Sequence, residues 1–493
     1  MKTGIDELAR FCKRKGFVFP TSEIYGGLQG FYDYGPLGVE IKNNIKQLFW
    51  NDFVTNNELI IGIEGSIITH PRVWVASQHV NKFLDIMVRC SSCGNTLKAE
   101  TLIEAKTGID IEGKSVSDIK EILKKHKLKC PKCNSLLTEV EEFRLMFETS
   151  IGPFKDENSK VYLRPETAQL IFADFRSVFQ TSRLKLPFGI AQIGKAFRNE
   201  ISPRNFLFRL REFEQFEIEF LVNPEKLNEC PLYEKIKNKK INLADDNKQG
   251  YKALKIGELL KRKIFASKWH GYWLYSFFEW FKKYGISEKN LRLKPHTKEQ
   301  LAHYAKACID IEYRFPFGWK ELHGNADRGL FDLSQHEKAS KEKLSIYDEA
   351  TSKKVLPYVA AEPSQGIERA MLAFLFEAYN FDKKRGYVVL KLHPKIVPVQ
   401  VAVCPLVKKD GLPEKAKDVY AGIKGCFRCF YDESGSIGRR YARQDEIGTP
   451  YIVTIDYDTL KDNTVTIRDR NTTYQQRVKI EELNNKLWEL INA

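Results

Sequence analysis

The chain has 493 residues, 43% of them hydrophobic and 12% aromatic, enough for two or three domains each with its own core. No apolar run approaches the roughly 20 residues of a membrane-spanning helix. The first residues, MKTGIDELARFCKRKGF, are charged throughout, so no secretory leader is expected and the expected location is cytoplasmic. The net charge of +15 is concentrated at 120–132 and 235–263; such patches attract a polyanion such as RNA, although a solvated lysine face is their commoner origin.

In chain order, the first feature is YGGLQGFYDYGPLGVEIKNNIKQLFWNDFV, a Gly- and Pro-rich aromatic loop predicted to feed a long helix after Pro36. Val39, Ile45, Leu48, Phe49 and Phe53 recur there at nearly helical spacing and form its apolar stripe. Next come Cys90-Ser-Ser-Cys93 and Cys130-Pro-Lys-Cys133, two C-x2-C knuckles with 36 residues between them. Together they offer four thiolates for a tetrahedral, structural Zn2+, and the lysine-rich residues between are an excursion. A redox pair is disfavoured because both knuckles occur together.

From 143 to 220, strand-like runs such as VYLRP and GIAQIGKAF suggest an antiparallel sheet. Residues 189–200 read as one strand, 201–207 with Pro203 as a loop, and 208–220 as the returning strand. Alternation then puts Gln192, Gly194, Ala196, Arg198 and Glu200 on one face of the first strand, and Phe213, Gln215, Glu217 and Glu219 on one face of the second. Phe216, Ile218 and Phe220 take the apolar side. A polar sheet face is usually plain surface, but this one combines an arginine fork suited to phosphate, a ring suited to stacking on a base, and carboxylates suited to an ammonium.

Residues 230–305 lose the strand pattern and read as a lysine- and aromatic-rich helical insertion. Strand signals return in ACIDIEYRFPFGWKELHG and VLPYVAAEPSQG, the latter leading into a helix with Ile367, Met371, Phe374, Leu375 and Ala378 as its buried stripe. After His393 and Pro394 an independent strand-helix-strand pattern begins, which sets a boundary near 393. Cys426 and Cys429 lack a second pair and read as ordinary thiols.

FRNE followed by a loop and FRLREFEQFEIEF resembles motif 2 of the class II aminoacyl-tRNA synthetases, GIERAMLAFLFEAY resembles their motif 3, and GFYDYGPLGVEIKNNIKQLFW resembles motif 1 in its glycyl form. YDYGPLG, RPETAQ, EPSQGIER and GSIGRRYARQDEIGTP, in that order over nearly the whole chain, are similar to the dimeric (α2) type of glycyl-tRNA synthetase. The resemblance implies an α+β fold: an antiparallel-sheet catalytic domain with a zinc-knuckle insertion and a helical insertion, and a C-terminal α/β anticodon-binding domain. The expected divisions are 1–89, 90–133, 134–229, 230–305, 306–393 and 394–493. The implied activity is ATP-dependent attachment of glycine to tRNA-Gly through glycyl-adenylate, with Mg2+, a structural Zn2+ and a homodimer.

The resemblance also implies residue roles. Arg198 would hold the α-phosphate and the amino-acid carboxylate, and Arg369 the γ-phosphate; these are the expected catalytic groups. The implied ATP contacts are Arg198, Asn199, Glu200, Phe208, Arg209, Leu210, Arg211, Glu212, Phe213, Glu321, Leu322, Gly366, Ile367, Glu368 and Arg369. Within that set Glu200 would meet the adenine amino group, Phe213 would stack on the base, and Glu321 suits Mg2+. The implied glycine contacts are Lys98, Glu166, Phe213, Glu214, Gln215, Phe216, Glu217, Glu362, Pro363, Ser364, Gln365 and Gly366, with Glu166, Glu217 and Glu362 as an acidic cage. Cys90, Cys93, Cys130 and Cys133 are the expected metal ligands. Arg439, Arg440, Arg443, Gln444, Asp445 and Glu446 are groups that can contact unstacked anticodon bases and phosphates in such a domain, with a surface loop of internal ion pairs as the alternative for each. A synthetase-like module without catalysis is the rival reading, and the presence of Arg198, Glu200 and Arg369 argues against it.

Overall fold

Alternating runs between residues 60 and 366 pair into one nine-stranded sheet. Its order is Gly250–Lys255, Lys240–Asp245, Leu291–Pro295, Ala307–Phe315, Gly318–Asp327, Tyr358–Gly366, Glu212–Val222, Phe188–Phe197 and Ile60–Gly62. Two pairings are parallel, Lys240–Asp245 with Leu291–Pro295 and Phe188–Phe197 with Ile60–Gly62; the others are antiparallel. The computed structural model describes residues 3–109, 111, 114–153, 156, 159–245 and 250–492. Among these, no helix is long and apolar enough to cross a membrane.

The two strands expected at 189–200 and 208–220 are observed as Phe188–Phe197 and Glu212–Val222, in the register that sets Gln192 opposite Glu217, Gly194 opposite Gln215 and Ala196 opposite Phe213. Gly194 is required by close approach: a Cβ there would lie 2.0 Å from Nη2 of Arg164, whose guanidinium crosses the sheet to reach Lys195 O and Gly65 O. The run VYLRP forms Lys160–Leu163 in a separate three-stranded sheet.

Residues 230–305 differ from the helical expectation. They carry helices Ile256–Lys261 and Lys268–Lys283 but also three strands of the main sheet. Of the two lysine-bearing strands, Gly250–Lys255 is the sheet edge, where charge discourages pairing with another chain. Helix Lys268–Lys283 belongs to the principal core: Phe277 stacks on Phe53 at 4.1 Å and on His323 at 4.1 Å, and Trp273 and Phe281 are buried with it.

Helix Pro36–Trp50 is present, with proline in its first turn. Gly38 lets it touch the preceding turn, since a Cβ there would meet Phe17 O at 1.8 Å. Its buried stripe is Ile41, Ile45 and Phe49, continued by Phe53, whereas Val39 is exposed. Phe49 stacks on Trp280 at 3.9 Å and on Phe216 at 5.3 Å. The stripe is therefore satisfied within its own chain. Helix Ile367–Ala378 buries the expected Ile367, Met371, Phe374, Leu375 and Ala378.

The cysteine region is a small α/β unit. Strands Leu84–Arg89, Thr96–Lys98 and Glu139–Arg144 carry helices Ala99–Thr107 and Val116–Lys125 over a core of Val88, Ile103, Ile119, Leu123 and Val140. The flanking strands lie outside the 90–133 range read from the knuckles.

After residue 393 a five-stranded sheet runs in the order Cys429–Tyr431, Val401–Pro405, Tyr451–Ile455, Thr464–Asp469 and Gln475–Lys479, with the first three strands parallel. Helices Leu412–Ile423 and Leu483–Asn492 pack into one core, and helix Ile437–Ile447 sets Ile437 and Tyr441 against Ala402, Cys404 and Ile452. Half of the expected base-contacting side chains are turned inward. Arg440 is buried and donates to Gly435 O and Pro405 O, Asp445 accepts from Arg385, Arg468 and Tyr387, and Gln444 is buried against Thr449. Arg439 remains exposed. Cys426 lies in the turn before the strand that Cys429 begins.

Candidate active site

The polar face of strand Glu212–Val222, the hairpin Ala307–Phe315/Gly318–Asp327, the end of strand Tyr358–Gly366 and the first turn of helix Ile367–Ala378 enclose a cavity of about 250 Å³. Residues distant in sequence converge there because the sheet order places Tyr358–Gly366 between Gly318–Asp327 and Glu212–Val222.

One end is rich in arginine. Arg198 Nε donates to Pro165 O at 3.0 Å, and the guanidinium lies 5.4 Å from the Phe83 ring and 5.3 Å from the Phe213 ring. Arg198 forms no ion pair among the described residues, which leaves its terminal N–H groups available to an anion. Arg209 is held by Glu200 at 2.6 Å, and Arg369 by Glu321 at 2.7 Å, with Arg369 also lying 4.7 Å over Phe208.

The other end is an acidic cage. Glu217 accepts from Thr167 N at 3.0 Å, Thr167 Oγ1, Gln215 Nε2 at 3.0 Å and Ser364 Oγ at 2.8 Å. Glu166 meets His79 Nε2 at 3.3 Å and Gln169 Nε2 at 3.1 Å. Glu362 meets Arg328 Nη1 at 2.5 Å. Arg328 is fully buried, forms a two-pronged pair with Asp332 at 2.7 and 2.9 Å, and lies 3.7 Å over the Tyr304 ring.

One guanidinium thus faces Glu166, Glu362 and Asp332, and negative charge is in excess. Burial, reinforced by Glu217, Glu166 and Asp332, pushes Glu362 up to about 8 against the pull of Arg328. Burial and then Glu166 likewise raise Glu217. Burial opposes ionisation of Glu166 too, but His79, then Arg328 and Gln169, hold it well below the usual carboxylate range. Behind the cage Glu219 is buried, with no hydrogen-bond partner for either oxygen among the described residues, and burial together with Glu362 pushes it well above the usual carboxylate range.

Of the expected residues, Glu166, Arg198, Glu200, Phe208, Arg209, Leu210, Phe213, Gln215, Glu217, Glu321, Glu362, Ser364, Gly366, Glu368 and Arg369 line the cavity. The strand pleat sends the side chains of Glu212, Glu214 and Phe216 to the other face, where Glu214 pairs with Lys42 and Lys46 and Phe216 joins the core. Lys98 pairs with Asp85 and Glu100 in the cysteine unit. Leu322 and Ile367 are core residues, Gln365 is buried against Leu322 O, and Asn199, Arg211 and Pro363 do not line the cavity. Glu368 reaches the cavity but its carboxylate serves Lys42 and the Glu214 amide. Sequence reading missed His79, Tyr304, Arg328 and Asp332. The spacing of Arg328 and Asp332 was the available signal, one helical turn apart in ADRGLFDL.

The four knuckle cysteines also come together. Their sulfurs lie within 4.8 Å of one another, with Cys90 to Cys133 at 3.4 Å and Cys93 to Cys130 at 3.7 Å. Tetrahedral bonds of about 2.3 Å to zinc place sulfurs roughly 3.8 Å apart, so the donor set and its spacing fit that ion. The Lys132 amide and Asn95 Nδ2 point at Cys130 Sγ, as donors to a thiolate do.

Comparison with known proteins agrees with these features. Residues 147–379 match the family described as tRNA synthetase class II core domain (G, H, P, S and T), and residues 400–490 match the anticodon binding domain family. The chain is 46% identical to a glycine-tRNA ligase of Caldanaerobacter subterraneus subsp. tengcongensis, with 99% of each chain covered. It is 44% identical to those of Clostridium beijerinckii, with 98% of this chain and 97% of the relative covered, and Acetivibrio thermocellus, with the same coverage. By its core, its C-terminal domain and its similarity over nearly its full length, this chain belongs to the glycine-tRNA ligase family of class II aminoacyl-tRNA synthetases.

Proposed function

We propose that the protein activates glycine with ATP and transfers it to tRNA-Gly. The observation that carries this reading is the joining, in one cavity, of an arginine-lined end with a buried cage of three carboxylates. The ATP phosphates lie along Arg198, Arg209 and Arg369, and the base reaches Phe213. The ammonium of glycine sits among Glu166, Glu217 and Glu362, which directs its carboxylate toward Arg198. That carboxylate attacks the α-phosphorus, the bond to pyrophosphate breaks, and Arg198 stabilises charge gathering on the phosphoryl oxygens. The mixed anhydride then yields its glycyl group to the terminal ribose of tRNA-Gly, releasing AMP. Mg2+ supplies charge neutralisation on the phosphates when bound, and Glu321, whose carboxylate faces the cavity, fits as one of its few protein ligands.

Selection of glycine is selection against size. Glu217 is fixed by four hydrogen bonds and Glu362 by Arg328, so a methyl group finds no yielding wall. Overpacking there costs about 1 to 3 kcal/mol, and displaced cage hydrogen bonds add to it.

Glu362→Gln tests this arrangement. The apparent KM for glycine should rise about ten- to hundredfold, the range of one charge-assisted hydrogen bond, while that for ATP changes little. With Glu362 raised to about 8, its carboxyl is largely protonated below that pH, and an incoming ammonium draws it to the ionised form. Glycine binding therefore releases a proton below about pH 8, and affinity rises with pH up to that point and then levels. Calorimetry in buffers of different ionisation enthalpy reads the release, which the variant should lose; equal losses for glycine and ATP would remove Glu362 from the cage.

The four-cysteine cluster is assigned one structural Zn2+, the homodimer implied by the family resemblance is retained, and the cytoplasm is the assigned location. The dimer reading is supported by Ile24, Tyr25 and Leu28, large apolar side chains exposed just before the motif 1 helix. Native mass spectrometry tests metal and assembly together: two 57.2 kDa chains with one zinc each are expected. Cys93→Ser retaining the full zinc content would contradict the metal assignment, and a single-chain mass at micromolar concentration the dimer.

A further inference from the structure

A second cluster of metal-ligating side chains lies in the wall of the same cavity. His296, Cys308 and Asp310 each offer a ligand atom, and these atoms lie within 4.8 Å of one another. We propose that His296, Cys308 and Asp310 form a second, reversible binding site for a borderline divalent cation such as Zn2+, and that its occupation inhibits amino-acid activation.

The backbone fixes this geometry. Cys308 and Asp310 are two apart on strand Ala307–Phe315 and so share a face. His296 follows the last residue of the neighbouring strand Leu291–Pro295, and its amide donates to Cys308 O at 3.0 Å, continuing the ladder. Three donors on adjacent strands of one sheet need little reorganisation to close on an ion. His296 Nε2 is already 2.9 Å from Asp310 Oδ2.

The donor chemistry selects the metal. A nitrogen, a sulfur and a carboxylate oxygen are the ligands Zn2+ takes, whereas Mg2+ and Ca2+ take oxygen alone. All three residues line the cavity, so the fourth coordination position opens onto it, unlike the closed four-sulfur cluster. Opposite Asp310 the next strand carries Gly324, where a Cβ would stand 3.7 Å from Asp310 Oδ1 and 4.0 Å from Glu321 Oε1. The absence of that side chain leaves Asp310 and Glu321 facing a shared space. A cation held there competes with Arg369 for Glu321 and obstructs the wall along which the phosphates lie, hence the inhibition.

Cobalt(II) is the probe, because thiolate ligation gives a near-ultraviolet charge-transfer band. The full-length protein is first saturated with zinc and desalted, which keeps the tightly held ion at the four-cysteine cluster. Titration with cobalt(II) should then add one equivalent with that band in the parent, none in Cys308→Ser, and at least tenfold weaker binding in His296→Asn, which keeps the thiol. The spectroscopic result is independent of the reaction assigned above, so its failure and the failure of that assignment are distinguishable. In ATP-pyrophosphate exchange, the zinc concentration for half inhibition should rise at least tenfold in Cys308→Ser. No band in the parent, an undiminished band in Cys308→Ser, or equal zinc sensitivity of the two proteins overturns the proposal.

Discussion

Arg198→Ala should lower the rate of glycine activation by about two to three orders of magnitude, the effect of removing one preorganised donor from a developing charge. Arg198 is the one arginine at the arginine-rich end of the cavity that carries no ion pair among the described residues; Arg209 and Arg369 rest on Glu200 and Glu321. Its stacking between Phe83 and Phe213 and its bond to Pro165 O fix the fork before substrate arrives. Loss of those contacts is modest, so the melting temperature should change by little, and kcat should fall more than either KM rises. Single-turnover adenylate formation with thermal melts measures this. A variant within threefold of the parent rate would remove Arg198 from the reaction.

Arg328→Met should be the most destabilising of the substitutions considered, by about 3 to 5 kcal/mol, because it leaves buried carboxylates without their counter-charge. Asp332 loses both prongs of its pair, Glu362 its 2.5 Å contact and Glu166 its more distant one. The pH dependence gives a sign that cavity formation alone would not. Without Arg328, Glu362 is raised further and Glu166 loses part of what holds it down, so the folded protein binds more protons than the parent fold does, and the deficit shrinks as pH falls from about 8 toward 5. Denaturant melts at the two pH values measure it. A deficit under about 1 kcal/mol, or one that does not change with pH, would contradict the counter-charge role. Asp332→Asn in the same background should recover part of the loss, since it removes one of the stranded charges.

The parts of the site legible in the sequence were those written at short range. Strand alternation alone placed Phe213, Gln215 and Glu217 on one face, and the apolar stripe of helix Ile367–Ala378 followed from its spacing. The four cysteines announced themselves by two knuckles, and their sulfurs meet. What failed was contiguity. Motif-derived runs such as residues 212–217 cannot all face one cavity, because a pleated strand turns every second side chain away. The lysines of Gly250–Lys255 hid an edge strand, and the Phe49 stripe, amphipathic in sequence, is spent on Trp280 and Phe216 of its own chain.

Long-range electrostatics were the least legible. His79, Glu166, Arg328 and Glu362 come from four stretches far apart in sequence and meet only in the folded chain. The four-residue spacing of Arg328 and Asp332 marked one pair of this network, and nothing local marked its other members. The inward-facing Arg440 and Asp445 show the converse: a charge-rich helix that reads as a recognition surface turns two of its five charges inward to brace itself.

The account stands most directly on amino-acid selectivity. ATP-pyrophosphate exchange should be measured with the purified protein, ATP, Mg2+ and each of the twenty amino acids in turn. Glycine alone should drive exchange at a rate well above background, with alanine and serine at least a hundredfold slower in kcat/KM, if the three carboxylates hold the ammonium as proposed and leave no room for a side chain. Exchange with alanine or serine comparable to that with glycine would contradict the assignment of the cage.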